Sequence, residues 1–192
     1  ALIMKLNEDS IEVFLKSNTE GNPYKKGEQA NLVYGLYCES VIGTQNKLLV
    51  PDASKSTVWK DNNPDVDINM ISYLGLPINW PDGEVFGTVC LLDSKENYYQ
   101  EIYNDYLFQV KQHIETDLNV IVSQKQLEEK SVELEQLNNI KSRFLSLISH
   151  DIRGAVGILD SFVKIIISNY DQLDRNQLKE MLKTLHQSTN ST

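Results

Sequence analysis

The stretch "MISYLGLPINWPDGEVFGTVCLLD", Met70 to Asp93, decides the fold. Two β-rich runs, 71–79 and 84–92, flank Pro81-Asp82-Gly83. Proline presets a turn, aspartate tolerates it, and glycine supplies the positive φ that closes it. The segment therefore predicts an antiparallel hairpin. Moving outward, "IEVFLKS" (11–17) and "NKLLVPD" (46–52) are further strand candidates. "NLVYGLYCESVI" (31–42) predicts a helix with apolar and polar faces, and "STVWKDN" (56–62) a short helix.

Chain breakers divide the sequence. All five prolines lie in the first 81 residues, and seven of the nine glycines lie before residue 88. Only Gly154 and Gly157 follow. Such a shift marks a boundary between a mixed α/β region and a region of long helices. The 192 residues suffice for one or two domains, and 41% hydrophobic content for a packed core.

The net charge is −9. Residues 1–112 carry 16 Asp/Glu against 9 Lys/Arg, while 113–192 carry 11 against 9. No basic block offsets the acid, which excludes the positive footprint of a nucleic-acid binder. The two cysteines, Cys38 and Cys90, form no C-x-x-C pair and fit a reduced, cytoplasmic setting. No apolar run reaches the roughly 18 residues of a membrane span. No signal-peptide pattern is visible. The start at Ala1 and the end in "QSTNST" suggest a piece of a longer protein.

From about residue 97 the sequence is nearly free of breakers and carries apolar residues at heptad-like spacing. One seam passes Val120, Leu127, Leu134, Lys141 and Ile148. A companion passes Leu137, Phe144 and Asp151, alongside Ile140 and Leu147. Gln124 and Ser131 interrupt the companion, which predicts a weak segment near 122–133 in a parallel coiled coil. A single helix cannot bury such a stripe, so a second copy is expected. The stripe continues through Ile148, Ile152, Val156, Leu159, Val163, Ile166 and Tyr170. Asp174 and Gln177 then have the spacing of a capping box, ahead of a helix carrying Leu178, Met181, Leu182 and Leu185. Two helices with a short link make an αα-hairpin, and two hairpins a four-helix bundle. The arm from His150 to Tyr170 is about 30 Å and the returning arm, Arg175 to Thr192, about 27 Å. The second arm therefore ends near the level of His150.

His150 falls between the stripe positions Ile148 and Ile152 and points away from their seam. Two readings stay open on the residues alone. It is a solvent-facing coiled-coil histidine, or a nucleophile whose neutral imidazole is competent near neutral pH. Asp151 is the carboxylate at hand, although neighbours i and i+1 do not face each other on a helix. His113 and His186 read as ordinary surface histidines.

Two resemblances extend this reading. "LYCESVI", "LLVPDAS" and "SYLGLPINWPDGEVFGTVCLLD" resemble a GAF domain, best over 31–95. That resemblance implies an antiparallel sheet with packed helices and a small ligand between them, its identity unknown. Tyr37, Cys38, Trp59, Tyr73, Trp80 and Cys90 are the candidate pocket residues; each also reads as ordinary core or rim. The Cys-x-His pair that carries a bilin in related photoreceptors is absent. "FLSLISHDIRGAVG" (144–157), preceded by "LEQLNNIKSRF", resembles the phosphoacceptor box of sensor histidine kinases. That implies a dimerisation and histidine-phosphotransfer domain over about 134–190. By that resemblance His150 accepts the γ-phosphoryl group of ATP and passes it to an aspartate of a response regulator. Asp151 orients it and acts as base, and Arg153 contacts phosphate or partner, or is a plain surface arginine.

Two departures matter. The family usually has Thr or Asn four residues after the histidine and Pro next; here stand Gly154 and Ala155. The first predicts weak or absent phosphatase activity. The two glycines predict a kink or loosening after His150. No Asn box or Asp-x-Gly-x-Gly segment follows, so the ATP-binding kinase domain is expected elsewhere in a full-length enzyme, and this chain is expected to be inactive alone. The expected architecture is α+β: a GAF-like sensor over 1–112, a coiled-coil linker over 113–142 and the phosphotransfer hairpin over 143–192, as a cytoplasmic homodimer. The alternative is a non-enzymatic dimeric GAF/coiled-coil scaffold with an inert His150.

Overall fold

A computed structural model describes residues 1–32, 35–61, 63–169 and 174–190, with backbone only from 188. The expected hairpin is present. β5 (Ser72–Asn79) pairs antiparallel with β6 (Val85–Asp93). Gly83 closes the turn with φ +91, its N–H donating to the Trp80 carbonyl at 3.0 Å. Asp82 accepts the Glu84 N–H at 3.0 Å. The register slips between Ile78 and Asn79, which leaves Phe86 as the extra residue of a bulge.

Four more strands extend this hairpin. β1 (Leu2–Leu6) and β2 (Ser10–Lys16) form a second hairpin, β3 (Gln29–Asn31) pairs with β2, and β4 (Leu48–Val50) pairs with β5. The sheet order is β3-β2-β1-β6-β5-β4, antiparallel throughout. Strand alternation sorts the side chains onto two faces. The front carries Leu2, Met4, Ile11, Val13, Tyr73 and Cys90, packed with α1 (Tyr37–Thr44) through Tyr37, Cys38 and Val41. The back carries Leu74, Ile78, Phe86 and Val89, packed with Leu107, Ile114 and Leu118 of α3 (Glu101–Asn169). Both faces are covered, so β5 is apolar almost throughout rather than alternating.

Several boundaries differ from the sequence expectation. The helix expected over 31–42 begins only at Tyr37, because Asn31 pairs in β3 and Gly35 takes φ +72. Glu39 then accepts the Gly35 N–H at 3.0 Å and steadies the first turn. Val33 and Tyr34, within that expected helix, lie outside the described residues. The short helix expected over 56–62 is a run of turns, with Asn62 outside the described residues. Regular structure falls on either side of it. A 3-10 turn, Ala53–Lys55, is capped by Asp52, and α2 (Pro64–Asp67) is capped by Asn63 with proline in its first turn. Those caps satisfy free amides, which outweighs apolar content in so short a segment.

The chain divides into two compact units, 1–126 and 127–192, and α3 contributes to both. In the second unit α3 runs unbroken through Gly154 and Gly157, so the expected kink is not a break in the helix. An interior glycine weakens a helix without stopping it while its neighbours are good formers. The capping box is formed: Asp174 accepts the Asn176 and Gln177 N–H groups at 2.7 and 2.8 Å, and Gln177 accepts that of Asp174 at 3.0 Å. It opens α4 (Arg175–Asn190). Tyr170, the expected end of the stripe, and Thr192, the expected end of the second arm, lie outside the described residues.

Candidate functional site

His150 sits mid-helix on α3. Its side chain is 86% exposed and that of Asp151 79%. The Nδ1 atom of His150 lies 3.3 Å from Oδ1 of Asp151. Adjacent helical residues diverge by about 100°, but two uncrowded side chains lean together where nothing else holds them. If Nδ1 carries the proton and donates it to the carboxylate, Nε2 keeps its lone pair facing solvent. Arg153 is exposed and forms no ion pair among the described residues.

The stripe around His150 divides in two. Ala155, Leu159, Phe162 and Ile166 are part-buried, as are Leu178, Met181 and Leu185 of α4. In this unit of two helices they are the least exposed apolar positions among the described residues. Ile148, Ile152, Val156 and Val163 stay exposed, as do Leu137, Ile140, Phe144 and Leu147 upstream. Sequence spacing had joined Leu159 and Ile166 with Val156 and Val163 in one stripe. The helix instead shows one apolar face inward and leaves a second open.

The other candidate site is a cavity of about 270 Å³ on the front of the sheet. Leu2, Met4, Ile11, Val13, Cys90 and Leu92 form its floor, and Pro23, Tyr24, Glu28, Leu36, Pro64 and Asp65 stand around it. Of the six pocket candidates, Cys38 and Cys90 line the cavity. Tyr37 stacks on Tyr73 with ring centroids 4.8 Å apart and meets Trp59 at 5.2 Å, an aromatic layer within the front core. Trp80 lies on the opposite face, edge-on to Phe86 at 5.2 Å.

Both thiols are free and buried. Cys38 receives the Thr88 hydroxyl at 3.3 Å and lies 3.4 Å from the Tyr73 hydroxyl. Contact with the Cys38 sulfur, together with burial, pushes the Cys90 thiol well up. Tyr24 and Asp65 went unread in the sequence, yet they carry the cavity's polarity. The Tyr24 hydroxyl donates to Asp65 Oδ1 at 2.6 Å across 41 residues. Burial raises the Asp65 carboxyl above its ordinary range, opposed only by that hydrogen bond. The local signal for α2 was Asn63-Pro64-Asp65, a cap and helix start. Nothing local pointed to Tyr24.

No protein-family model matches the sequence, and no curated protein does. Solved structures resemble it in fold. The blue-light absorbing form of the Thermosynechococcus elongatus PixJ GAF domain is 14% identical, with a TM-score of 0.53, over 66% of this chain and 77% of that one. The GAF domain of an Acinetobacter phosphoenolpyruvate-protein phosphotransferase is 16% identical, with a TM-score of 0.50, over 65% and 73%. A methyl-accepting chemotaxis protein, residues 122 to 287, is 14% identical, with a TM-score of 0.51, over 62% and 79%. At these identities the likeness is one of fold: the sheet-bearing unit has the GAF fold, and the chain is α+β with long helices after it. Among the described residues no helix is long and apolar enough to cross a membrane.

Proposed function

We propose that this chain is the sensory and phosphoacceptor portion of a two-component sensor histidine kinase. The observation that carries the reading is the placement of His150: a solvent-facing imidazole, 86% exposed, with a carboxylate 3.3 Å from its Nδ1. It lies on a helix followed by a capped partner helix. Asp151 holds the proton on Nδ1. Nε2 attacks the γ-phosphorus of ATP, the bond from phosphorus to the ADP oxygen breaks, and phosphohistidine results. An aspartate of a response regulator then displaces the histidine. ATP is bound by a kinase domain of the full-length enzyme, which supplies most of the positioning and charge stabilisation that such a transfer needs. Arg153 stands one turn on, where a phosphate or an acidic partner surface would meet it.

A homodimer completes the site. The open face, Ile148 with Ile152, Val156 and Val163, continues the upstream seam of Leu137 and Phe144. A second hairpin covers it as a four-helix bundle does. The GAF-fold unit acts as sensor in this reading, and its ligand biases the packing of the helices that follow. A signal requires only that the ligand favour one packing over another. Gly154 offers no side chain to position a water, so phosphatase activity by that route is weak or absent.

The test supplies an isolated ATP-binding kinase domain and γ-labelled ATP. Acid-labile label on the wild-type chain, absent from His150→Ala, is the expected result. Label that persists in the variant, or fails to reach the wild type, would leave the inert scaffold as the better account.

A further inference from the structure

The front cavity joins an apolar body to a polar end of one sign. Among the described residues no lysine, arginine or histidine lines it, while Asp65 and Glu28 both do. Asp65 is the unusual member. It is part-buried, yet it forms no ion pair among the described residues. Its Oδ1 takes the Tyr24 hydroxyl at 2.6 Å, and Oδ2 has no hydrogen-bond partner among the described residues. A carboxylate partly withdrawn from water gains from a cation beside it, because desolvating the charge is costly. The wider surroundings repeat the sign, since residues 1–112 carry 16 acids against 9 bases. An excess of that kind draws cations and repels anions.

We infer that this cavity is a receptor site for a small ammonium-bearing molecule, its cation on the Asp65 carboxylate and its apolar body against Leu2, Met4 and Val13. The inference deepens the sensory half of the proposed function by naming the class of ligand. At about 270 Å³ the cavity is just under the roughly 300–1,000 Å³ typical of drug-sized sites. It therefore suits a primary amine with one ring or a short alkyl body. A phosphate ester would bring its anion to a carboxylate with no countercharge and is excluded by the same argument.

The probes are phenethylammonium, 2-phenylethanol and phenylacetate, which share one body and differ in charge. Calorimetric titration of the full chain should show the ammonium binding about ten-fold or more tighter than the carboxylate, with the alcohol between, a gap of about 1.4 kcal/mol per ten-fold. Asp65→Asn should bring the ammonium down to the level of the alcohol and leave the alcohol unchanged. The unchanged alcohol also shows that the variant is folded. Bound ammonium should slow the reaction of Cys38 and Cys90 with neutral methyl methanethiosulfonate, which places it in the cavity. If Asp65→Asn does not fold, the preference between probes in the wild type still decides. Equal or tighter binding of the carboxylate, no binding of any probe, or a preference that survives Asp65→Asn would overturn the inference. His150→Ala should bind the probes as wild type does, so this test and the phosphotransfer test fail separately.

Discussion

The two units solve the same problem, burial of apolar surface, in opposite ways. In the sheet-bearing unit both faces of β5 are covered, and Tyr73, Leu74 and Ile78 are fully buried within one chain. In residues 127–192 no described side chain is fully buried, and Phe144, Leu147 and Ile152 are each more than half exposed. A sheet with helices or loops on both faces closes its own core. A helix with two apolar faces and one neighbour does not. The first unit therefore has the means to be stable alone, and the second leaves an apolar face that the proposed dimer would cover.

This contrast can be broken or sharpened by experiment. Both tryptophans, Trp59 and Trp80, lie in the first unit, so their fluorescence reports that unit alone. The largest effect expected is from Leu74→Ala. It should cost about 2–5 kcal/mol, as buried leucine truncations do, seen as a lower urea midpoint by fluorescence that does not depend on protein concentration. Gly87→Ala comes next, at about 1–3 kcal/mol for forced overpacking. An added Cβ there would overlap the Met4 carbonyl oxygen, and β1 would have to move. If the fluorescence midpoint is unchanged, the close packing of β1 on β6 is not as described.

The second unit should respond differently. Phe144→Glu should turn a dimer into a monomer by light scattering while the tryptophan melt stays in place. A wild-type chain that is monomeric at micromolar concentration would end the contrast. Asp174→Ala should cost about 1 kcal/mol of hairpin stability through loss of the cap. Gly154→Ala and Gly157→Ala should each add about 1 kcal/mol, because a Cβ at either position meets nothing within 4 Å in the chain. Helicity by circular dichroism checks all three. A loss on adding alanine would show that the dimer packs tightly against those glycines.

The smallest effect is one of pH. The Asp65 carboxyl is raised by burial above its ordinary 3.8. The folded state thus holds a proton that the unfolded chain has lost. Between the ordinary and the raised value, stability from this group falls as pH rises and is regained on acidification. Asp65→Asn should remove that component from the pH profile of the fluorescence melt. Profiles that coincide would place Asp65 in a more solvated setting than the cavity.

The legible parts of the molecule were those with local causes. The 72–93 hairpin followed from Pro81-Asp82-Gly83, and the start of α4 followed from Asp174 and Gln177. His150 stood out because its offset from Ile148 and Ile152 is a matter of helical period. β1 carries no local signal, since "LIMKL" lies at the start with no turn residues before it. The helix that composition suggests over 31–42 is too long, because pairing of Asn31 with Ser10 is a long-range contact that composition does not record.

The sequence by itself determined the turn at 81–83, the long helical region after residue 97 and the offset of His150 from Ile148 and Ile152, because those depend on neighbours within a few residues. The tertiary structure alone decided the rest. It put Trp80 behind the sheet and Cys38 in front, divided the 148–166 stripe into a covered face and an open one, and set Tyr24 against Asp65 across 41 residues. Such pairings arise from packing between distant segments, where burial and satisfied polar groups rather than local propensity choose the neighbours.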